Sequence, residues 1–219
     1  MNKIIISAIT LASLLVASCN SGNKSEDQKP EQAATAGAGA VSFNIDTTKS
    51  KVNWLAKKVT GQHNGTIKVV SGELKTEDGK VVAGKFDIDL NSINILDLTD
   101  PAVNAKLLGH LKSDDFFSTA THPKGTFEIT SVEPLTGAAD GKSNALVKGN
   151  LTLMGIAKPV EFPAVIKTEG DVLTASGAVE LDRTLWDIRY GSGKFFPGIG
   201  DKMIYDTFKV EFALSAVKG

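Results

Sequence analysis

The feature that most limits what this chain can fold into is a strict two-residue alternation of apolar and polar side chains, repeated in successive runs. Gly84, Phe86, Ile88 and Leu90 alternate with Lys85, Asp87, Asp89 and Asn91, the pattern of a strand with one dry and one wet face. Val147, Gly149, Leu151 and Leu153 form another dry row, and Val160, Phe162, Ala164 and Ile166 the next. Leu173, Ala175, Gly177, Val179 and Leu181 follow, and Phe208, Val210, Phe212 and Leu214 close the series. A first strand is expected over residues 51–59. Asn64-Gly65 and Asp78-Gly79 are dipeptides of tight hairpins, and residues 155–158 read as a short connection, so sequential antiparallel pairing is expected. That many strands leave exposed edges unless the sheet closes on itself, so the chain reads as an antiparallel β-barrel.

One stretch departs from the alternation. Asp100 and Pro101 read as N-cap and first helical residue, and Leu107, Leu108 and Leu111 recur at helical spacing. Phe116 and Phe117 extend the same apolar face, giving a helix over about residues 101–117. His122-Pro123 disfavours further helix, and Phe127 and Ile129 then share one side of a strand. A lone amphipathic helix in a β protein packs onto its sheet or plugs it.

A barrel of about eight strands is either filled by its own side chains or holds one slender ligand. Gly84, Gly149, Ala175 and Gly177 stand on inward rows where a packed core would prefer Val, Ile or Leu. Either they leave a channel flanked by Phe86, Ile88, Leu151 and Leu153, or they relieve curvature and admit a neighbouring backbone. A channel is energetically reasonable. Each buried CH₂ is worth roughly 0.8 kcal/mol, so ten buried carbons give about 8 kcal/mol before ordering costs.

Four segments carry a family resemblance: TGQHNGTIKVVSGEL at residues 60–74, HLKSDDFF at 110–117, GNLTLMGIAKPVEF at 149–162 and DRTLWDIRYGSGKFFPGIGDKMIYDTF at 182–208. In this order and spacing the chain, from about Phe43 to the C-terminus, resembles the YceI-like lipid-binding family, and its last segment resembles the form found in the Bacteroidetes. One departure is Asp187, where many members carry Gly, which bears on the local turn. The resemblance implies a lipocalin-like eight-stranded barrel whose interior holds a long isoprenoid or quinone-like lipid, with no catalysis and no further cofactor. With the dry rows it implies a ligand-lining set of Trp54, Gly84, Phe86, Ile88, Leu108, Leu111, Phe116, Phe117, Phe127, Gly149, Leu151, Leu153 and Gly177.

Lys3 followed by the apolar run 4–16 reads as a secretory signal, too short for a spanning helix, so residues 1–18 are expected to be removed. Val16-Ala17-Ser18-Cys19 resembles the lipobox of bacterial lipoproteins, whose cysteine becomes the lipidated N-terminus. Cys19 is the only cysteine, so no intramolecular disulfide competes for it; the alternative is ordinary cleavage after Ser18, leaving a free thiol. Residues 19–40 lack the apolar content to fold and read as a flexible tether, and residues 41–219 as one barrel domain. The expected location is extracytoplasmic, held to the cell envelope in periplasm or outer membrane.

A net charge of −1 supplies no basic stripe, which argues against nucleic acid as a partner. His63, His110 and His122 are the only histidines, and neither HxH nor HExxH spacing is present, so capping or core hydrogen bonds are expected in place of a metal site. Ser192 lacks the spacing of a nucleophile elbow and its surroundings read as a glycine-rich loop. Asp182-Arg183 reads as a structural ion pair at a barrel mouth, with Arg183 or Arg189 also placed to meet a lipid headgroup. The leading function is a membrane-tethered carrier or sequestering protein for an isoprenoid-type lipid. The alternative is a ligand-free barrel acting as a cell-surface interaction or stress protein. Nothing in the chain sets the oligomeric state.

Overall fold

The computed structural model describes residues 29–219 apart from 138 and 140; the signal segment and Cys19 lie outside them. The elements follow in the order β1 (Val41–Ile45), β2 (Lys51–Lys58), β3 (Gly61–Glu77), β4 (Lys80–Ile95), α1 (Pro101–Lys112), β5 (Lys124–Pro134), β6 (Ala145–Leu153), β7 (Ile156–Glu169), β8 (Val172–Asp182) and β9 (Ile204–Lys218). Strands β2 to β9 pair antiparallel with their sequence neighbours, and β9 returns to β2, with Trp54 opposite Val210, to close an eight-stranded barrel. The expected class, a lipocalin-like antiparallel barrel with one docked helix, is the one formed.

β1 was not anticipated from the sequence. It pairs with β3 (Phe43 opposite Leu74) and with β9 (Asn44 opposite Val217), continuing the line of β2 past a kink at residues 46–50. Asp46 holds that kink: its carboxylate accepts the Thr48 and Lys49 amides at 3.0 and 3.2 Å, the local bonding that lets Asp displace a ladder.

Two hairpin expectations shift. Asp78-Gly79 forms its turn, with φ of 49° and 74° at the two central residues, the left-handed pair whose twist suits a two-residue hairpin. The β6–β7 turn is Met154-Gly155 (φ 50° and 74°), tighter than the residue 155–158 connection, so Ile156 onward is already strand. Asn64-Gly65 is no turn at all. The β2–β3 turn falls at residues 59–60, and Gly65 sits within β3 opposite Trp54. A Cβ there would lie 2.7 Å from Trp54 Cζ2, so the missing side chain makes room for the indole.

α1 begins as expected, with the Asp100 carboxylate accepting the Ala102 and Val103 amides at 2.8 and 3.1 Å. It ends at Lys112, five residues short of the expected limit, because Ser113 is extended (ψ 175°) and its Oγ donates to the His110 carbonyl at 2.8 Å. Phe116 and Phe117 therefore stand on the turn after the helix, yet Phe116 is buried. The helix lies over one end of the barrel, where Leu107, Leu108 and Leu111 pack against Trp54, Ile93 and Ile95. That end, shared with the β6–β7 turn and the β8–β9 connection, is the mouth. The opposite end, with the β3–β4 and β7–β8 hairpins and β1, is closed.

The second half of the expected tether is bonded to the barrel wall. Glu31 donates its amide to Asn150 Oδ1 at 3.0 Å and accepts Asn150 Nδ2 on its carbonyl at 2.7 Å, and Ala34 N donates to the Ile129 carbonyl at 2.9 Å.

Candidate functional site

Inward rows of all eight wall strands meet in a layered interior. Below the mouth lies an apolar cavity of about 150 Å³ whose lining includes Trp54, Phe86, Ile88, Leu111, Phe116, Phe117, Phe127, Leu151 and Leu153. Each of these was named from the sequence. Leu108 and the three glycines are not among the lining residues. Leu108 packs on the side of α1 that meets Trp54, Ile93 and Ile95.

The glycines are occupied by their neighbours, so they give close approach and not a channel. A Cβ on Gly149 would meet Phe127, one on Gly177 would fall 2.8 Å from Phe212 Cζ, and one on Gly84 would fall 2.6 Å from Leu74 Cδ2. The space is therefore filled from adjacent strands, by rings at Gly149 and Gly177 and by Leu74 at Gly84, the second of the two readings open from the sequence. The same rings form a belt. Phe86 to Phe127, Phe127 to Phe162 and Phe162 to Phe212 stand at centroid distances of 5.3, 5.5 and 5.1 Å, in tilted or edge contact. Beyond the belt a second apolar space of about 30 Å³ runs toward the closed end, lined by Leu74, Val81, Ile129, Val147 and Leu214. The four phenylalanines line both spaces.

Sequence reasoning missed much of the wall: Val52, Ala56, Phe162, Val179, Phe208, Val210 and Phe212 also line the cavity. Phe162 and the β9 residues lay on dry rows already recognised, and the alternation of Val52, Trp54 and Ala56 carried the same signal. Ile188, Ile204 and Tyr205, from the β8–β9 connection and the start of β9, had no such signal because no strand period fixes their direction.

Polar chemistry is sparse and committed. Arg183 is the only charged residue in the cavity lining among the described residues. Its guanidinium donates to the carbonyls of Ile188, Tyr205 and Ile204 at 2.9, 3.2 and 3.2 Å and to Asp206 at 3.3 Å. Burial pulls its pKa below the ordinary value, against the opposing charges of Asp206 and Asp182. The ion pair expected with Asp182 is thus made with Asp206, while Asp182 caps the short turn Arg183–Trp186 by accepting the Thr184 amide at 2.9 Å. Asp187, standing where glycine is common, adopts the left-handed φ of 63° that a glycine would. Trp186 Nε1 donates to the Leu151 carbonyl at 3.0 Å. By contrast Trp54 Nε1 is buried without a partner, the one such side-chain atom among the described residues.

The histidines stand apart. His63 Nδ1 contacts Asp97 at 2.7 Å, His110 Nε2 contacts Asp115 at 2.9 Å, and His122 lies by the Met154-Gly155 turn. No group of three metal-ligating side chains occurs among the described residues.

A closed antiparallel barrel, capped by one helix over an apolar interior, defines the lipocalin-like class of barrels. Residues 43–216 match the YceI-like domain, and the chain belongs to that family. A UPF0312 protein of Shewanella oneidensis is 30% identical over 138 residues, 60% of this chain and 65% of that one. A UPF0312 protein of Pseudomonas fluorescens is 33% identical over 106 residues, covering 48% and 51%. The chain thus spans between about half and two thirds of the length of these curated relatives. Among solved structures, Burkholderia cenocepacia BcnA superposes with a TM-score of 0.60 at 24% identity, over 79% of this chain and 99% of that one. A polyisoprenoid binding domain from Saccharophagus degradans gives 0.58 at 18% identity, over 82% and 99%. Both show a shared fold.

Proposed function

We propose that this protein is a non-catalytic carrier or sequestering protein for a long isoprenoid or quinone-like lipid, held in the barrel and tethered to the cell envelope through Cys19. The apolar cavity under α1 carries the reading. Its lining offers burial to hydrocarbon and, in Arg183, a charge already bonded to the protein's own carbonyls. An apolar cavity of about 150 Å³ is enough for a benzene-sized group. A long chain therefore occupies the mouth as well, or turns the phenylalanine belt to reach the second space. The partnerless indole N–H of Trp54 suits a ligand carrying a carbonyl or hydroxyl oxygen better than a bare hydrocarbon. The polyisoprenoid-binding description of the Saccharophagus domain supports the same ligand class.

Organic extraction of the purified protein, read by mass spectrometry, is expected to release a long-chain lipid in stoichiometric amount. Repeated absence of lipid, with failure to take up an added isoprenoid quinone, would overturn the carrier and favour a ligand-free interaction protein. The anchor is tested by Cys19→Ala, which is expected to move the protein from the membrane fraction to the soluble fraction. Unchanged fractionation sinks it.

A further inference from the structure

We infer that the mouth end of the barrel docks on a lipid bilayer surface, and that the strap of residues 29–40 turns this end toward the membrane. The face stands on the rim's own chemistry; the strap's role rests on the reading of Cys19 as an anchor.

The strap runs from the closed end back up the wall. Val41 pairs with Thr76 beside the closed-end hairpin, Gly37 N donates to the Glu77 carboxylate, and Ala34 bonds Ile129 halfway along β5. Glu31 then reaches Asn150, which points outward between Gly149 and Leu151 and is only 7% exposed beneath the strap. Thr130 Oγ1 donates to Glu31 Oε2 at 3.0 Å, adding a second hold. Asn150 stands three residues before the end of β6, so the chain leaves the wall roughly 10 Å below the mouth at strand rise. Eleven residues lie between Cys19 and Glu31, a chain length whose reach is at most about 40 Å. Unstrapped, the tether would start at Val41 on the far end.

The two ends differ in chemistry. At the mouth, Tyr190, Phe196 and Tyr205 are 45%, 49% and 46% exposed, beside Val59, whose amide bonds the Met203 carbonyl and joins β2 to the β8–β9 connection. Lys57, Lys58, Lys106, Lys112, Arg189 and Lys202 share this end with Asp97, Asp100, Asp114, Asp115, Asp187 and Asp201, so charges of both signs are interspersed around the rings. The Arg189 guanidinium stacks 4.8 Å from the Phe195 ring centroid. Amphipathic rings set among charged groups are the composition that settles at the headgroup layer of a membrane. The closed-end hairpins carry Glu77, Asp78, Glu169 and Asp171 with Lys80 and Lys218 and, among the described residues, no exposed aromatic ring. With the mouth on the bilayer, a lipid passes into the cavity without crossing water.

The test uses the full chain reconstituted in vesicles of phosphatidylethanolamine and phosphatidylglycerol with brominated acyl chains. The indole introduced by Phe196→Trp is expected to be quenched severalfold relative to the same protein in unbrominated vesicles, and that introduced by Leu135→Trp at the closed end to be unaffected. Adding Asn150→Ala, which frees the strap, is expected to diminish the Phe196→Trp quenching. Quenching at Leu135→Trp, or at neither position, overturns the docking face; quenching indifferent to Asn150→Ala overturns the strap's role. Mass spectrometry of Cys19 reads the anchor separately. Unacylated protein still quenched at Phe196→Trp keeps the face and loses the anchor, and unacylated protein that is not quenched loses both.

Discussion

The ring of Phe127 fills the space above the Cα of Gly149 on the neighbouring strand, where an added Cβ would fall 2.7 Å from Cε2. Gly149 is thus the partner of a ring, as Gly177 is of Phe212, and the phenylalanine belt depends on both.

Gly149→Leu is expected to destabilise the barrel by about 1–3 kcal/mol through overpacking. Gly149→Ala is expected to do so in the same direction, since its Cβ would also meet the Glu128 carbonyl oxygen at 2.6 Å. Urea unfolding of the two variants checks this. A neutral Leu variant would show that the ring yields and that the belt is mobile.

Phe127→Ala removes one of the four rings that line both apolar spaces and is expected to join them. The cost is about 3–5 kcal/mol if the walls do not collapse. The gain is length: lipid extracted from the variant is expected to be longer or better retained than from the wild type. Unchanged lipid with full loss of stability would mean that the space closed up.

The two tryptophans report different places. Trp54 lines the cavity with its N–H free, whereas Trp186 is fully buried outside the cavity lining and bonded to Leu151. Titration with an isoprenoid quinone is expected to quench Trp54 emission and leave Trp186 emission nearly unchanged. Trp54→Phe is expected to abolish most of the response while Trp186→Phe preserves it.

Asp97 joins the loop after β4 to β3. Burial pushes its carboxyl pKa up, but the Asn64 amide at 2.9 Å and His63 outweigh that and hold it below 3.8. A depressed folded-state pKa contributes stability that is complete above the unfolded value and lost as pH falls through the folded one. Asp97→Asn is therefore expected to lower thermal stability at neutral pH, by no more than about 1 kcal/mol for so accessible a group. The gap to wild type is expected to close below pH 3.8, the ordinary value. A gap that persists at acid pH would assign the effect to shape instead of charge.

Fold and site were unequally legible. Period two exposed β4, β6, β7, β8 and β9, because a wall with one wet face writes its geometry into alternate residues. β1 was too short to show a period, and its stability comes from pairing with β3 and β9, far away in sequence. The cavity's aromatic half was readable because Phe86, Phe116 and Phe127 stand on apolar faces. The glycines were not, since the same absent side chain serves a void or a neighbour's ring, and only packing decides. Asn64-Gly65 misled for the same reason: a turn dipeptide also fits where an indole needs room.

β9 hydrogen-bonds to β8, β2 and β1, and through Phe208, Val210 and Phe212 it supplies one wall of the cavity. The order of assembly therefore matters. Until residues 204–218 have joined the sheet, β8 and β2 both present open edges and the interior has no enclosed volume. Such a half-built sheet is prone to pair with other chains. A clipped product lacking β9 is therefore expected to have no enclosed cavity and to self-associate through the open edges of β2 and β8.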